Sequence, residues 1–170
     1  MVRLSVNNPR FRSKEQIAAD VAFILTAPIS YGTKYSVVSQ ACWAWTEFDG
    51  KYFGCRFWSK KALVQAKKTL KKDLRHEHLV PRKVLVAMLM EVVEPTPEKV
   101  RELLDQFCIG VVVTKAEDEL LSKGLRSRMP REFDDPQHED YRDPWLRYRR
   151  CGIAVVDMNA NDLNLRSSKF

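Results

Sequence analysis

The chain has 170 residues, of which 45% are hydrophobic, and this is enough apolar material to bury one core. We therefore predict a single domain over residues 1–170. No apolar run approaches the length of a membrane span, and residues 1–9 lack the apolar segment of a signal peptide. We expect a cytoplasmic protein without a membrane partner.

The net charge of +7 is concentrated in the first half of the chain. Residues 1–83 hold 16 Lys and Arg against 6 Asp and Glu, whereas residues 84–170 hold 13 against 16. A basic patch of this kind attracts phosphate backbones, acidic protein surfaces or anionic membranes. Surplus lysine also increases solubility. The charge therefore indicates an anionic partner but does not identify which of these three kinds it is.

The four cysteines lie far apart in the sequence and form no close pair, at Cys42, Cys55, Cys108 and Cys151. This spacing argues against a zinc ribbon and, in a reducing compartment, against disulfides. We expect them to act as small buried hydrophobic residues.

The first predicted element is a helix. Ser13 and Gln16 have the spacing of a capping box, and apolar residues follow at helical spacing from Ile17 to Leu25. The helix is expected to end near Thr26, before a loop marked by Pro28 and Gly32.

Residues 35–58 allow two interpretations. As a helix, residues 35–48 place Val38, Cys42 and Trp45 on one stripe, and Gly50 can serve as the C-terminal cap. As a strand, they would pair across Asp49-Gly50 with residues 52–58 in a hairpin whose aromatic face could stack on bases. The helical stripe is the more regular pattern, so we predict the helix.

A basic helix is predicted over residues 59–74. Ser59 is a suitable N-cap, and Leu63, Ala66, Leu70 and Leu74 form an apolar stripe. The other positions of the helix and the residue that follows it carry seven cations, namely Lys60, Lys61, Lys67, Lys68, Lys71, Lys72 and Arg75.

The remaining chain alternates helices and short strands. Helices are predicted over residues 82–93, 97–107 and 115–123, with the last opened by a capping box of Thr114 and Glu117. Residues 108–113 and 153–156 are apolar and are predicted as adjacent buried strands. Residues 126–150 are expected to be a long polar surface loop, and residues 159–170 a polar tail. The prediction is an α+β fold, mostly helical, with a small two- or three-stranded sheet.

The stretch Glu77-His78-Leu79-Val80-Pro81 resembles the first motif of the HNH (His-Me finger) nucleases, in which an acidic residue and a histidine precede two apolar residues and a proline. The resemblance implies a metal-dependent nuclease. In it, Glu77 would help hold a divalent cation such as Mg²⁺, and His78 would be the general base that deprotonates the attacking water.

The chain departs from that family's pattern beyond these five residues. The family requires an asparagine and a further histidine or asparagine downstream, but residues 80–156 contain no asparagine and a single histidine, His138. A second interpretation of the stretch is a joint between two helices. There, His76 would lie at the negative end of one helix, and Glu77 would precede the positive end of the next.

The basic helix over residues 59–74 is the stronger indication of function. Its cations could neutralise several phosphates, and lysine in place of arginine favours contact with the backbone over recognition of bases. We therefore predict a nucleic-acid-binding accessory or regulatory protein that contacts DNA or RNA, with a degenerate or atypical HNH-like nuclease as the catalytic alternative. A protein–protein interaction module, an inhibitor or adaptor with a basic, tryptophan-bearing face for an acidic partner, is the other alternative.

Two further clusters lie within the predicted loop. Trp145 and Tyr148 are expected to hold the loop on the core, while the neighbouring arginines pair with loop carboxylates. The second cluster could bind a hard cation or be a solvated loop, and it contains Asp134, Asp135, His138, Glu139 and Asp140.

Overall fold

A computed structural model describes residues 12–68 and 73–159. The described helices are α1 (Lys14–Thr26), α2 (Tyr31–Thr46), α3 (Lys60–Lys68), α4 (Arg82–Met90), α5 (Pro97–Phe107), α6 (Lys115–Leu125) and α7 (Leu146–Arg150), and the strands are β1 (Phe57–Ser59), β2 (Leu74–His78), β3 (Gly110–Thr114) and β4 (Val155–Asp157). The predicted α+β class is confirmed, and the sheet contains four strands where two or three were expected.

The sheet is mixed and has the strand order β2-β3-β1-β4. β1 runs parallel to β3, with Phe57 opposite Val111, whereas β2 pairs antiparallel with β3 and β4 pairs antiparallel with β1. β3 is buried along most of its length because it lies between two strands and is covered on both faces. The predicted strand over residues 153–156 is present as β4. The prediction that it lies beside the strand over residues 108–113 is wrong, because that strand is β3 and β4 pairs with β1.

Three groups of buried side chains make up the core. The largest joins α1, α2, α4 and α5 around residues such as Val38, Leu85 and Leu104. A second packs α3 on one face of the sheet through Ala62, and a third packs α6 and α7 on the other face through Leu121 and Tyr148. The sheet therefore lies between the basic helix and the late helices of the chain.

Local sequence signals explain where several helices begin. In α1, the Ser13 hydroxyl accepts from the Gln16 backbone N–H at 3.2 Å and the Gln16 side chain accepts from the Ser13 N–H at 2.8 Å. Thr114 and Glu117 form the same reciprocal cap at α6. Residues 35–46 are helical within α2, so the predicted helix is confirmed and the hairpin alternative is wrong.

The predicted helix over residues 59–74 is confirmed from Lys60 to Lys68 and is wrong at Leu74. α3 ends at Lys68, and residues from Leu74 to His78 form a strand whose side chains alternate between buried and half-buried. Leu74, His76 and His78 face the core at a period of two, which is the spacing of a strand. The stretch is therefore neither the end of a helix nor a joint between helices, while residues 69–72, including Lys71 and Lys72, lie outside the described residues.

Residues 126–150 contain more structure than a surface loop. A short 3-10 helix covers Arg131–Asp134, α7 follows, and Phe133, Leu146, Arg147 and Tyr148 are buried. The prediction that Trp145 and Tyr148 hold this segment on the core is confirmed. Arg149 pairs with Asp140 and Asp143. The tail predicted over residues 159–170 lies outside the described residues beyond Asn159.

Within residues 12–68 and 73–159, no helix combines the length and apolar character needed to cross a membrane.

Candidate nucleic-acid interface

The basic helix α3 is fixed to the sheet at its N-terminus. The buried Ser59 hydroxyl accepts from the Ala62 backbone N–H at 2.9 Å and donates to Glu117 Oε2 at 2.6 Å. The same Glu117 oxygen accepts from Thr114 N and Oγ1, at 2.9 and 3.0 Å. A buried carboxylate thus ties the start of α3 to the start of α6, so α3 projects its side chains from a rigid position.

Three lysines of α3 lie on its outer face. At about 100° per residue, Lys60, Lys61 and Lys67 fall within an arc of about 120°, opposite Ala62 and Ala66. All three lysines are exposed, whereas Ala62 is completely buried against the sheet. None of the three forms an ion pair with a carboxylate of the described chain, so they present uncompensated positive charge.

The other predicted members of the basic set are placed differently. Arg75 belongs to β2 and alternates with Leu74, which packs beside α3, so Arg75 projects from the opposite face of the sheet. Its Nη1 donates to the Leu74 carbonyl at 2.8 Å. The side chains of Lys68, Lys71 and Lys72 lie outside the described part of the molecule.

A shallow groove runs along the first half of α3. It has a volume of about 660 Å³ and lies between α3 and the start of α6, lined by Lys60, Lys61, Val64 and Lys115, among others. Lys115 is 3.9 Å from Glu119, an exposed pair of the kind that contributes little stability. Asp73 and Glu119 also line the groove, so its three lysines leave only a small excess of positive charge.

A larger cleft of about 1060 Å³ opens beside the second half of α3. Its aromatic lining consists of Trp45, Phe53, Phe57 and Trp58, and Lys67 lies on its border with α3. Phe53 is 73% exposed although Trp58, 5.8 Å away between ring centroids, is buried. The cleft thus combines an exposed aromatic ring with a cation of the basic helix.

Gly54 holds the loop that presents Phe53. A β-carbon at Gly54 would lie 1.6 Å from the Asp49 carbonyl oxygen, closer than any side chain can approach. Gly50 has φ +115°, in the region that favours glycine, and its N–H donates to the Glu47 carbonyl at 2.9 Å. The loop can therefore fold back on itself only because both positions lack a side chain.

Glu77 and His78 do not converge on one site. As consecutive residues of β2, they project from opposite faces of the sheet. Glu77 Oε1 accepts from Arg147 Nη2 at 2.6 Å, and the same nitrogen donates to the His78 carbonyl oxygen at 2.5 Å. Burial raises the pKa of Glu77, and the Arg147 guanidinium opposes this rise. Glu77 is thus the counterion of a completely buried arginine.

His78 is buried against α2. Its Nε2 lies 3.4 Å from Oγ1 of Thr46, the last residue of that helix. The Trp43 and His78 rings pack edge to face, with 4.6 Å between their centroids. Burial, with the nearby His76 and Arg82, lowers the pKa of His78 to about 3. A general base works best when its pKa is close to the operating pH. The described geometry therefore does not support proton abstraction by His78.

The parts of the chain that the structure describes hold no cluster of three His, Cys, Asp or Glu side chains arranged to bind a metal ion. The acidic segment near His138 is engaged in ion pairs instead, with Arg142 bound to Asp134 at 2.9 Å and Arg149 bound to Asp140. Magnesium-dependent cleavage therefore has no supporting site among these residues.

The sequence interpretation missed two features of the site. Phe53 was not singled out, although an aromatic residue between Gly50 and Gly54 is a recognisable signal for an exposed loop. The pairing of Arg147 with Glu77, 70 positions apart, has no local signal.

The four tryptophans do not form an exposed docking face. Trp45 and Trp58 are buried, Trp145 is half-buried, and the half-buried Trp43 is covered by the Arg82 guanidinium at 4.7 Å.

No family model matches the chain, and neither a search of curated proteins nor a search of solved structures found a match.

Proposed function

We propose that the protein binds nucleic acid by contacting the phosphate backbone with Lys60, Lys61 and Lys67 of α3, in an accessory or regulatory role. The observation that carries the proposal is the set of three exposed lysines on one face of an anchored helix, without a carboxylate partner in the described chain. The overall charge of +7 supports the same conclusion, because it favours approach to a polyanion.

The spacing of these lysines suits a phosphate chain. Lys60 and Lys67 are seven residues apart, which is about 10 Å along a helix axis at 1.5 Å per residue. Phosphates of one duplex strand recur at about 3.4 Å along the axis, so the distance between Lys60 and Lys67 covers about three phosphate steps. Lysine is a point charge without the planar fork that reads guanine, so binding should depend weakly on base sequence.

The test is the salt dependence of binding. Three phosphate contacts give a slope of log affinity against log salt of about −2 for a single strand and about −2.7 for a duplex. Affinity for fluorescein-labelled oligonucleotides, measured by fluorescence anisotropy, should therefore fall by about 20-fold for a single strand and about 40-fold for a duplex between roughly 50 and 200 mM salt.

The variant Lys60→Gln/Lys61→Gln/Lys67→Gln should weaken binding to all sequences and flatten this slope by about 2 to 3. The matched control is Lys83→Gln/Lys123→Gln/Arg126→Gln, which removes the same charge from exposed positions outside α3. Equal losses in the two triple variants would show that net charge, and not α3, drives the binding. Absence of binding to both DNA and RNA at low salt would overturn the proposal and favour an acidic protein partner.

A further inference from the structure

We propose that the cleft beside α3 receives one unpaired nucleobase, which stacks on Phe53 while Lys67 contacts the adjoining phosphate. This inference rests on the proposed function, because it extends the backbone contact of α3 to a base. It assigns the protein a single-stranded nucleic acid as its ligand, since the bases of an intact duplex are stacked inside the helix and cannot enter a side cleft.

The charges of the cleft favour a base over a phosphate in its interior. Lys14 lies 3.8 Å from Asp105, and Arg56 donates to both carboxylate oxygens of Asp157 at 2.5 to 3.0 Å. These two cations of the lining are therefore already compensated. Lys67, on α3, has no carboxylate partner among the described residues, so the phosphate belongs at the border of the cleft and the neutral base inside it.

The Phe53 ring is held ready for stacking. Its position follows from the Gly50–Gly54 loop, and the buried Trp58 ring lies 5.8 Å from it between centroids, tilted by 34°. The Trp58 indole is itself fixed, because its Nε1 donates to the Cys55 carbonyl at 3.0 Å. An exposed ring on a rigid support stacks with little loss of conformational entropy, and stacking tolerates every base because each has a π face.

The cleft is large enough to hold a base. Binding pockets for small molecules run from about 300 to 1,000 Å³, and this cleft of about 1060 Å³ lies just above that range. Leu63, Ala66 and Lys67 of α3 belong to its lining, so a strand that follows the lysines of this helix can turn one base into the cleft.

The experiment compares Phe53→Ala with Phe23→Ala. Phe23 on α1 is 71% exposed and Phe53 is 73% exposed, so the two variants lose the same ring from equally exposed positions. The probes are fluorescein-labelled oligothymidylate and oligouridylate of about 20 nucleotides and a duplex of about 20 base pairs, at roughly 50 mM salt. Far-UV circular dichroism and thermal unfolding check that each variant is folded.

Phe53→Ala should weaken single-strand binding by about 5- to 140-fold, the equivalent of 1–3 kcal/mol for one stacked base. Its duplex affinity should change by less than about threefold, and Phe53→Tyr, which keeps the ring, should remain within about threefold of the original on every probe. Phe23→Ala should leave all affinities unchanged.

Two results would overturn the base-binding proposal while leaving the proposed function intact. One is unchanged single-strand affinity in Phe53→Ala while the triple glutamine variant of α3 loses binding to both probes. The other is an equal loss on single strand and duplex, which would mean that Phe53 supports α3 without touching a base. Failure of the original protein to bind any probe would instead remove the proposed function and this inference with it.

Discussion

Replacing Glu77 by alanine should leave a buried, uncompensated cation in the fold. The Arg147 side chain is completely buried, and its guanidinium donates to Glu77, to the His78 carbonyl and, at 3.0 Å, to the Leu125 carbonyl. Removing one partner of a buried ion pair costs about 3–5 kcal/mol, because the remaining charge keeps its desolvation penalty. For a chain of this size, that loss lowers the melting temperature by about 6–20 °C.

Urea unfolding followed by circular dichroism measures the free energy of unfolding directly. Glu77→Gln is the matched control: it keeps an oxygen that can accept from Arg147, and we expect it to cost about 1–2 kcal/mol. The double variant Glu77→Leu/Arg147→Met should be more stable than Glu77→Ala, since no charge is then left buried. A Glu77→Ala protein within about 1 kcal/mol of the original stability would refute the reasoning that Arg147 depends on this counterion.

The ion pair between Glu77 and Arg147 also determines how the stability of the fold depends on pH. Burial raises the pKa of Glu77 above 4.5 and Arg147 restrains the rise, so Arg147→Met should raise it further. The folded variant would then hold a proton that the unfolded chain has released, and its stability falls as pH increases through that range. The destabilisation of Arg147→Met relative to the original protein should therefore grow from pH 4.5 towards neutrality, and a constant difference would contradict this account.

Two further predictions concern His78 and Ser59. Burial lowers the pKa of His78 to about 3, so its ring NMR signals should show no titration midpoint near neutral pH. Because the unfolded chain gains this proton as pH falls below 6.5, His78→Gln should reduce the loss of stability on acidification, and an unchanged acid dependence would contradict the burial. Ser59→Ala removes the cap of α3 and its bond to Glu117, and it should lower the free energy of unfolding by about 1–2 kcal/mol. Faster hydrogen exchange at the Ala62 amide would accompany the loss, whereas unchanged protection there would show that the cap does not hold the helix.

The elements that follow from local chemistry were predicted correctly from the sequence. The reciprocal caps at Ser13 and Thr114 involve residues three positions apart, and the stripe of α2 repeats within one helix. In both cases, the residues that determine the structure are neighbours in the chain. The same reasoning located the outer face of α3, because Lys60 and Lys67 share a helical face with no help from the rest of the fold.

The strand β2 was missed because its pattern contains two buried histidines. Leu74, His76 and His78 alternate with Arg75 and Glu77, but a histidine counts as polar in a hydrophobic pattern, so the period of two was hidden. Their burial depends on Trp43 and on Gly110, where a β-carbon would lie 2.4 Å from the His76 ring. These contacts come from distant parts of the chain, and a short window of sequence does not contain them.

The cleft beside α3 shows the same limit. The two glycines of the Phe53 loop can be recognised in the sequence. The cleft, however, is also lined by Trp58, by residues of α1 and α5, and by the residues after β4. β1 has three residues, too few for a periodic signal, and its partners follow much later in the sequence. The shape of the cleft is therefore a property of the assembled sheet.

The position of β1 between β3 and β4 has a consequence for folding during synthesis. The ion pair of Arg56 with Asp157 joins residues 101 positions apart, and Glu117, which holds the start of α3, is made long after the helix itself. Contacts between residues so far apart in the sequence form slowly. The chain loses the conformational entropy of closing a large loop before these contacts stabilise it. The helix α3 therefore leaves the ribosome before Glu117 and the strands β3 and β4, which complete its support, have been made.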